Sequence, residues 1–130
     1  MWNNILEKIK LKIAGHVQEF FKSHIAIWLL IFSFLANLID WLILWIWIEP
    51  VEFPIILHYN VYFGVDAVGD YRQTYVLPLI GLILLLINLL LAMYFYVQKE
   101  RIASYVLLMG TLMIQLSLIV ASASVILINY

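Results

Sequence analysis

Three long apolar runs constrain this chain more than anything else in it. Residues 25–48 are apolar except for Ser33, Asn37 and Asp40, and residues 79–97 and 105–128 are nearly as free of charge. A helix of about 20 such residues crosses the hydrocarbon core of a bilayer, so each run is predicted to be a transmembrane helix. Composition supports this: 66% of the chain is hydrophobic and 12% charged, against roughly 45–50% and about 25% in soluble domains. A globule of 130 residues has too little interior to bury that excess, so lipid is the expected solvent. The length allows one domain. The formal net charge of −1 offers no basic face for nucleic acid. With no cysteine, disulfide frameworks and thiolate chemistry are excluded.

Ahead of the first run, residues 1–24 repeat apolar side chains at Trp2, Ile5, Leu6, Ile9, Ile13, Val17, Phe20 and Phe21, the spacing of one helical face. Glu7, Lys8, Lys12, Gln18, Glu19 and Lys22 fall mostly opposite, with Lys10 and Leu11 at the boundary. A basic amphipathic helix lying in the membrane interface is predicted; packing on a partner or on the bundle is the alternative. A cleaved signal peptide is not expected, because the apolar run that follows is too long and lacks a small-x-small cleavage site.

The ends of the spans are marked by aromatic residues, as membrane surfaces favour. Trp41, Trp45 and Trp47 close the first before Glu49-Pro50, and Tyr94-Phe95-Tyr96 close the second, which Pro78 opens. Residues 98–104 form the short link to the third. Basic residues set the orientation. Lys8, Lys10, Lys12 and Lys22 lie before the first span and Lys99 and Arg101 in the short link, whereas residues 49–78 hold Arg72 alone against Glu49, Glu52, Asp66 and Asp70. The N-terminus is therefore expected in the cytoplasm of a cell whose inner membrane holds the protein, with residues 49–78 and the C-terminus outside.

Polar side chains recur inside the spans. Ser33, Asn37 and Asp40 share one helical face, and Thr111, Gln115 and Ser122 share another. Centring the spans on one plane puts Asn37, Asn88 and Gln115 in a common layer, with Asp40 close by. Hydrogen bonds between membrane helices contribute about 0.6–2 kcal/mol each, so polar glue in a three-helix bundle is the simplest reading. Gly110, Ser117, Ala121, Ser122 and Ser124 would let the third helix approach a neighbour closely. Asp40 is harder to absorb, since an intramembrane carboxylate costs about 2.5–3.5 kcal/mol on insertion scales. No lysine, arginine or histidine within the spans can pair with it. Its options are a protonated carboxyl donating to Asn37 or Asn88, or a basic group on another subunit. A proton relay would need further ionisable groups, so translocation by this chain alone is not expected.

Residues 49–78 carry the remaining chemistry. Within 54–63, PIILHYNVYF is rich in β-branched and aromatic types. If extended, it points Ile56, His58, Asn60 and Tyr62 one way and Leu57, Tyr59, Val61 and Phe63 the other. Gly64 and Gly69 mark turns, so a hairpin or irregular β-like cap leaning on the helix ends is predicted. His58, Asp66, Asp70 and Glu52 are suitable metal-ligand types, but one imidazole among scattered acids is not a ligand set, and neither metal nor cofactor is expected. Thr74 has no neighbouring base, and Ser122 and Ser124 have no histidine partner, so an enzyme is not expected.

The run Pro54-Ile55-Ile56-Leu57-His58-Tyr59-Asn60, then Gly64-Val65-Asp66, then Pro78 opening a span, resembles a small bacterial membrane domain of unknown function. That domain is found at the front of toxin-immunity membrane proteins of the sporulation-delaying-toxin type. The resemblance covers residues 25–97 in layout and residues 54–66 in motif, with one more residue between Asn60 and Gly64 than the family pattern has. It implies extracytoplasmic recognition at most, through His58, Tyr59, Asn60, Gly64 and Asp66. Together these readings describe an all-α integral membrane protein with three spans, an interfacial N-terminal helix and a β-like cap. The expected function is that of a non-catalytic subunit packed in lipid against other membrane subunits or copies of itself. The alternative is an immunity or sensory protein whose cap recognises a peptide or toxin.

Overall fold

The computed structural model describes residues 1–130. Helix α1 (Trp2–Lys22) leads into α2 (His24–Trp47) through a single extended residue, Ser23. Ser23 ends one helix and caps the next: its backbone N–H donates to Phe20 O, and its hydroxyl accepts from the Ala26 N–H at 3.4 Å. The same hydroxyl meets Tyr105 Oη at 3.0 Å, which ties the corner to α4. After α2 come strands β1 (Ile55–Asn60) and β2 (Gly64–Gly69), a 3-10 turn (Tyr71–Tyr75), α3 (Val76–Val97) and α4 (Arg101–Asn129).

Helices α2, α3 and α4 have 24, 22 and 29 residues, roughly 33–44 Å at 1.5 Å per residue, enough to cross a bilayer with some tilt. All three are apolar enough to do so. Helix α4 is central, packed along both α2 and α3. Helices α2 and α4 run parallel, as the successive levels Ser23–Tyr105, Asn37–Gln115 and Leu44–Val125 show.

Two small apolar clusters bracket a polar middle. At one end Phe20, Ala26, Ala92 and Leu108 are buried together. Phe20 presents its edge to Tyr96 at 5.6 Å between centroids, a favoured aromatic geometry, and this one side chain anchors α1 to the bundle. At the other end Leu44, Ile48 and Val125 meet. Only 20 of 130 residues are buried, so most of the apolar surface of the spans faces outward.

Two element boundaries differ from the hydropathy reading. Helix α3 starts at Val76, before Pro78, because a proline in the first helical turn lacks only an N–H that would have no partner there. Helix α4 starts at Arg101, leaving residues 98–100 as the link. Ser104 makes the difference: its N–H bonds to Glu100 O, and its hydroxyl donates to Ala92 O at 2.8 Å, winding the charged residues into the first turn.

The β hairpin is antiparallel and irregular, with register shifts on either side of His58. Those shifts replace the simple alternation expected of residues 54–63. Asn60 pairs with Gly64 across a three-residue loop, Val61-Tyr62-Phe63, and Gly64 has φ 76°, where glycine avoids a Cβ clash. Asn60 Oδ1 accepts from the Tyr62 N–H at 2.8 Å and tightens the loop. The hairpin is held to the bundle by Asn129. Its amide accepts from the Ile56 N–H at 2.8 Å and donates to Ile56 O at 2.6 Å, pairing with β1 as a strand would.

Candidate functional site

The polar face of α2 turns inward, with Ser33, Asn37 and Asp40 all buried. Asn37 is the hub. Its Nδ2 donates to Pro78 O at 2.9 Å and to Gln115 Oε1 at 3.0 Å, while its Oδ1 accepts from Trp41 Nε1 at 3.1 Å. Gln115 Nε2 in turn donates to Gly81 O at 2.7 Å. Two side-chain amides thus bind α2 and α4 to each other and to backbone carbonyls of α3. The amides reach that backbone because residue 81 is glycine. A Cβ built there would lie 2.7 Å from Gln115 Oε1, 2.8 Å from Leu118 Cδ1 and 2.9 Å from Asn37 Nδ2, distances at which something must move.

Asn88 is not in this cluster. Its Nδ2 donates to Thr111 Oγ1 at 2.9 Å, and Thr111 donates to Leu107 O. Thr111 lies one turn of α4 before Gln115, so the polar residues form two levels where centring the spans predicts one layer. Ser104 adds a third tie, to Ala92 O.

Asp40 stands apart from all of these. It is fully buried, and neither carboxylate oxygen has a hydrogen-bond partner. The hydroxyls of Ser33 and Ser122 are buried and unpartnered too. Ser122 of α4 lies beside Asp40, yet no hydrogen bond of acceptable geometry joins them. Asn37 bonds to Pro78, Gln115 and Trp41 and Asn88 to Thr111, and neither is joined to Asp40.

On the cap, His58 Nδ1 and Asp66 Oδ1 are 2.6 Å apart, linking β1 to β2 on an exposed face. Tyr59 is half exposed, and Val61, Tyr62 and Phe63 at the loop are 86%, 91% and 85% exposed. Asp70 caps the 3-10 turn through the Arg72 N–H at 2.8 Å and does not approach His58. No three acidic or imidazole groups converge as a metal would require. Beneath the hairpin a cleft of about 290 Å³ lies between Leu57, His58 and Tyr59 of β1 and Leu77, Ala121 and Val125 of the helices.

Gly81, Ser104 and Asn129 were not marked by spacing or charge. A small residue inside an apolar span is the one signal that points to Gly81, since close helix approach in membranes uses such residues. Comparison with family models, curated proteins and solved structures finds no match to this chain. What the fold defines is a class: a mostly helical protein with three helices able to cross a membrane and one two-stranded sheet.

Proposed function

We propose that this protein is a non-catalytic, multi-pass subunit of the cell (inner) membrane that packs against other membrane proteins or against copies of itself. One observation carries the reading. The polar groups that join the spans are bonded to each other and to backbone carbonyls, while the outward surface of the spans is long and apolar, the surface a packing subunit presents. Positive-inside counting favours a cytoplasmic N-terminus and an external hairpin, with α1 lying in the cytoplasmic interface. Because the chain has no cysteine, single cysteines at Val61 and Gln98 test the sidedness directly. Impermeant thiol reagents should label the first in intact cells and the second only after lysis. For assembly, the test is extraction from native membranes in mild detergent followed by mass measurement of the intact particle. A discrete monomer without a co-purifying chain overturns the subunit reading.

The hairpin, external in this reading, supports a second one, recognition of a peptide or toxin, because the Val61-Tyr62-Phe63 loop projects with its side chains almost wholly exposed beside the exposed His58–Asp66 pair. Loss of protection or signalling on changing His58 and Asn60, with assembly intact, favours it. Unchanged protection removes it.

A further inference from the structure

We propose that the cleft between α1 and the α3–α4 link is a binding site for the phosphate of an anionic phospholipid headgroup. The cleft has a volume of about 450 Å³ and is lined by His16 and Glu19 of α1, Tyr96 and Val97 at the end of α3, and Lys99 and Arg101 beyond it. Neither Lys99 nor Arg101 has an ion-pair partner; the three ion pairs of the chain are His16–Glu19, His58–Asp66 and Asp70–Arg72. Arg101 lies over the Tyr96 ring, 5.4 Å from its centroid. That contact orients the guanidinium while leaving N–H groups for a phosphate, which arginine can grip with two parallel hydrogen bonds.

Lys99 supplies an independent sign. It is the one non-glycine residue with positive φ, 62°, and it closes the C-terminus of α3: Lys99 N–H bonds to Tyr96 O, and Glu100 N–H to Phe95 O. Glycine is the residue that suits this position. A lysine here carries backbone strain that glycine would avoid; its ammonium is favoured by the negative end of α3 and stands at the cleft. Helix α4 begins at the same place with no side-chain cap, and its positive dipole end is set against the negative end of α3 and the Glu100 carboxylate at its own N-cap, so the attraction for an anion rests on Lys99 and Arg101. Glu19 opposes an anion and is itself drawn toward His16 Nδ1 at 3.9 Å.

The location selects a lipid over a soluble phosphate. The apolar run of α3 ends at Val97, beside the aromatic trio Tyr94-Phe95-Tyr96, the depth at which hydrocarbon gives way to headgroups. Basic pockets at helix ends on the cytoplasmic side suit anionic headgroups. The site rests on the membrane placement and sidedness proposed above, and not on which partner the outer surface meets.

The test uses the full chain in mild detergent, with phosphatidylglycerol, phosphatidylcholine or inorganic phosphate added in parallel, read by lipid retention in native mass spectra and by thermal unfolding. Phosphatidylglycerol should be retained and raise the melting temperature, and phosphatidylcholine should do neither. Lys99→Gly and Arg101→Gln should each weaken phosphatidylglycerol binding about 5-fold, the equivalent of the ~1 kcal/mol a basic residue contributes near an anionic surface. Lys99→Gly also relieves the positive φ, so its lipid-free melting temperature should equal or exceed that of the parent, which separates lost binding from lost fold. Glu19→Gln should tighten binding. Equal retention of the two lipids, or unchanged affinity in Lys99→Gly and Arg101→Gln, overturns the site. Inorganic phosphate reproducing the thermal shift overturns the assignment to a lipid.

Discussion

Gly81→Ala tests the central claim about how the bundle is held. In an ordinary helix this change adds up to about 1 kcal/mol of helix propensity, so propensity alone predicts stabilisation. The contacts predict the reverse. The new methyl would sit 2.7–2.9 Å from three side-chain atoms, two of which belong to the amides that bond α2 to α4. Overpacking of this kind costs about 1–3 kcal/mol. Relief by moving the amides would sacrifice the bonds Asn37–Gln115, Asn37–Pro78 O and Gln115–Gly81 O, at about 0.6 kcal/mol each on the average for membrane helices. The net expectation is a loss of about 1–2 kcal/mol, read by reversible unfolding in mixed micelles with added denaturing detergent. Gly110→Ala is the control. No atom lies within 4 Å of a Cβ there, so this variant should be neutral or more stable. Gly81→Ala combined with Gln115→Ala should be less damaging than the sum of the two, because removing the glutamine vacates the space the methyl needs. A Gly81→Ala variant as stable as the parent, or a Gly110→Ala variant equally damaged, refutes the close approach as the organising contact.

Three further outcomes follow from particular contacts. Phe20→Ala removes a fully buried ring and should cost about 3 kcal/mol or more; hydrogen exchange should rise throughout α1 while amides in the middle of α4 stay protected. Asn129→Ala removes the two bonds to Ile56 and one to Val125 O and should cost about 1–3 kcal/mol, seen as faster proteolytic cleavage at Val61-Tyr62-Phe63 without loss of the helices. Asp40→Leu replaces a buried carboxyl that has no partner, so the isolated chain should gain about 1–3 kcal/mol in the same unfolding assay; a loss would expose a polar partner, such as an internal water, that holds the carboxyl.

The three spans were legible because hydropathy integrates over about 20 residues and tolerates a few polar interruptions. The hairpin was legible from Gly64, and its stagger around His58 was not, since β1 packs on α4 and on the 3-10 turn, contacts that no local pattern reports. Depth alone could not say which polar residues meet. Centring the spans fixes height only to about one turn, and it says nothing of rotation about each axis, so Asn88 joined the wrong level while Gly81, which opens the space for Asn37 and Gln115, carried no polar mark at all. The residue the layout singled out most strongly shows the same limit from the other side. Asp40 shares a helical face with Asn37, and the natural inference is that it joins the same network. Three residues along a helix is roughly 4.5 Å of rise, and the parallel α4 offers Gln115 at the height of Asn37 but only the small hydroxyl of Ser122 near Asp40. Asn37 commits both its N–H groups to Pro78 and Gln115 and accepts from Trp41, and no bond joins it to Asp40, so sharing a face with it supplies Asp40 with no partner. A carboxyl left in that position gives nothing to the glue that closes the bundle, which separates the stability of the fold, argued from the amides and Gly81, from whatever keeps an aspartate at residue 40.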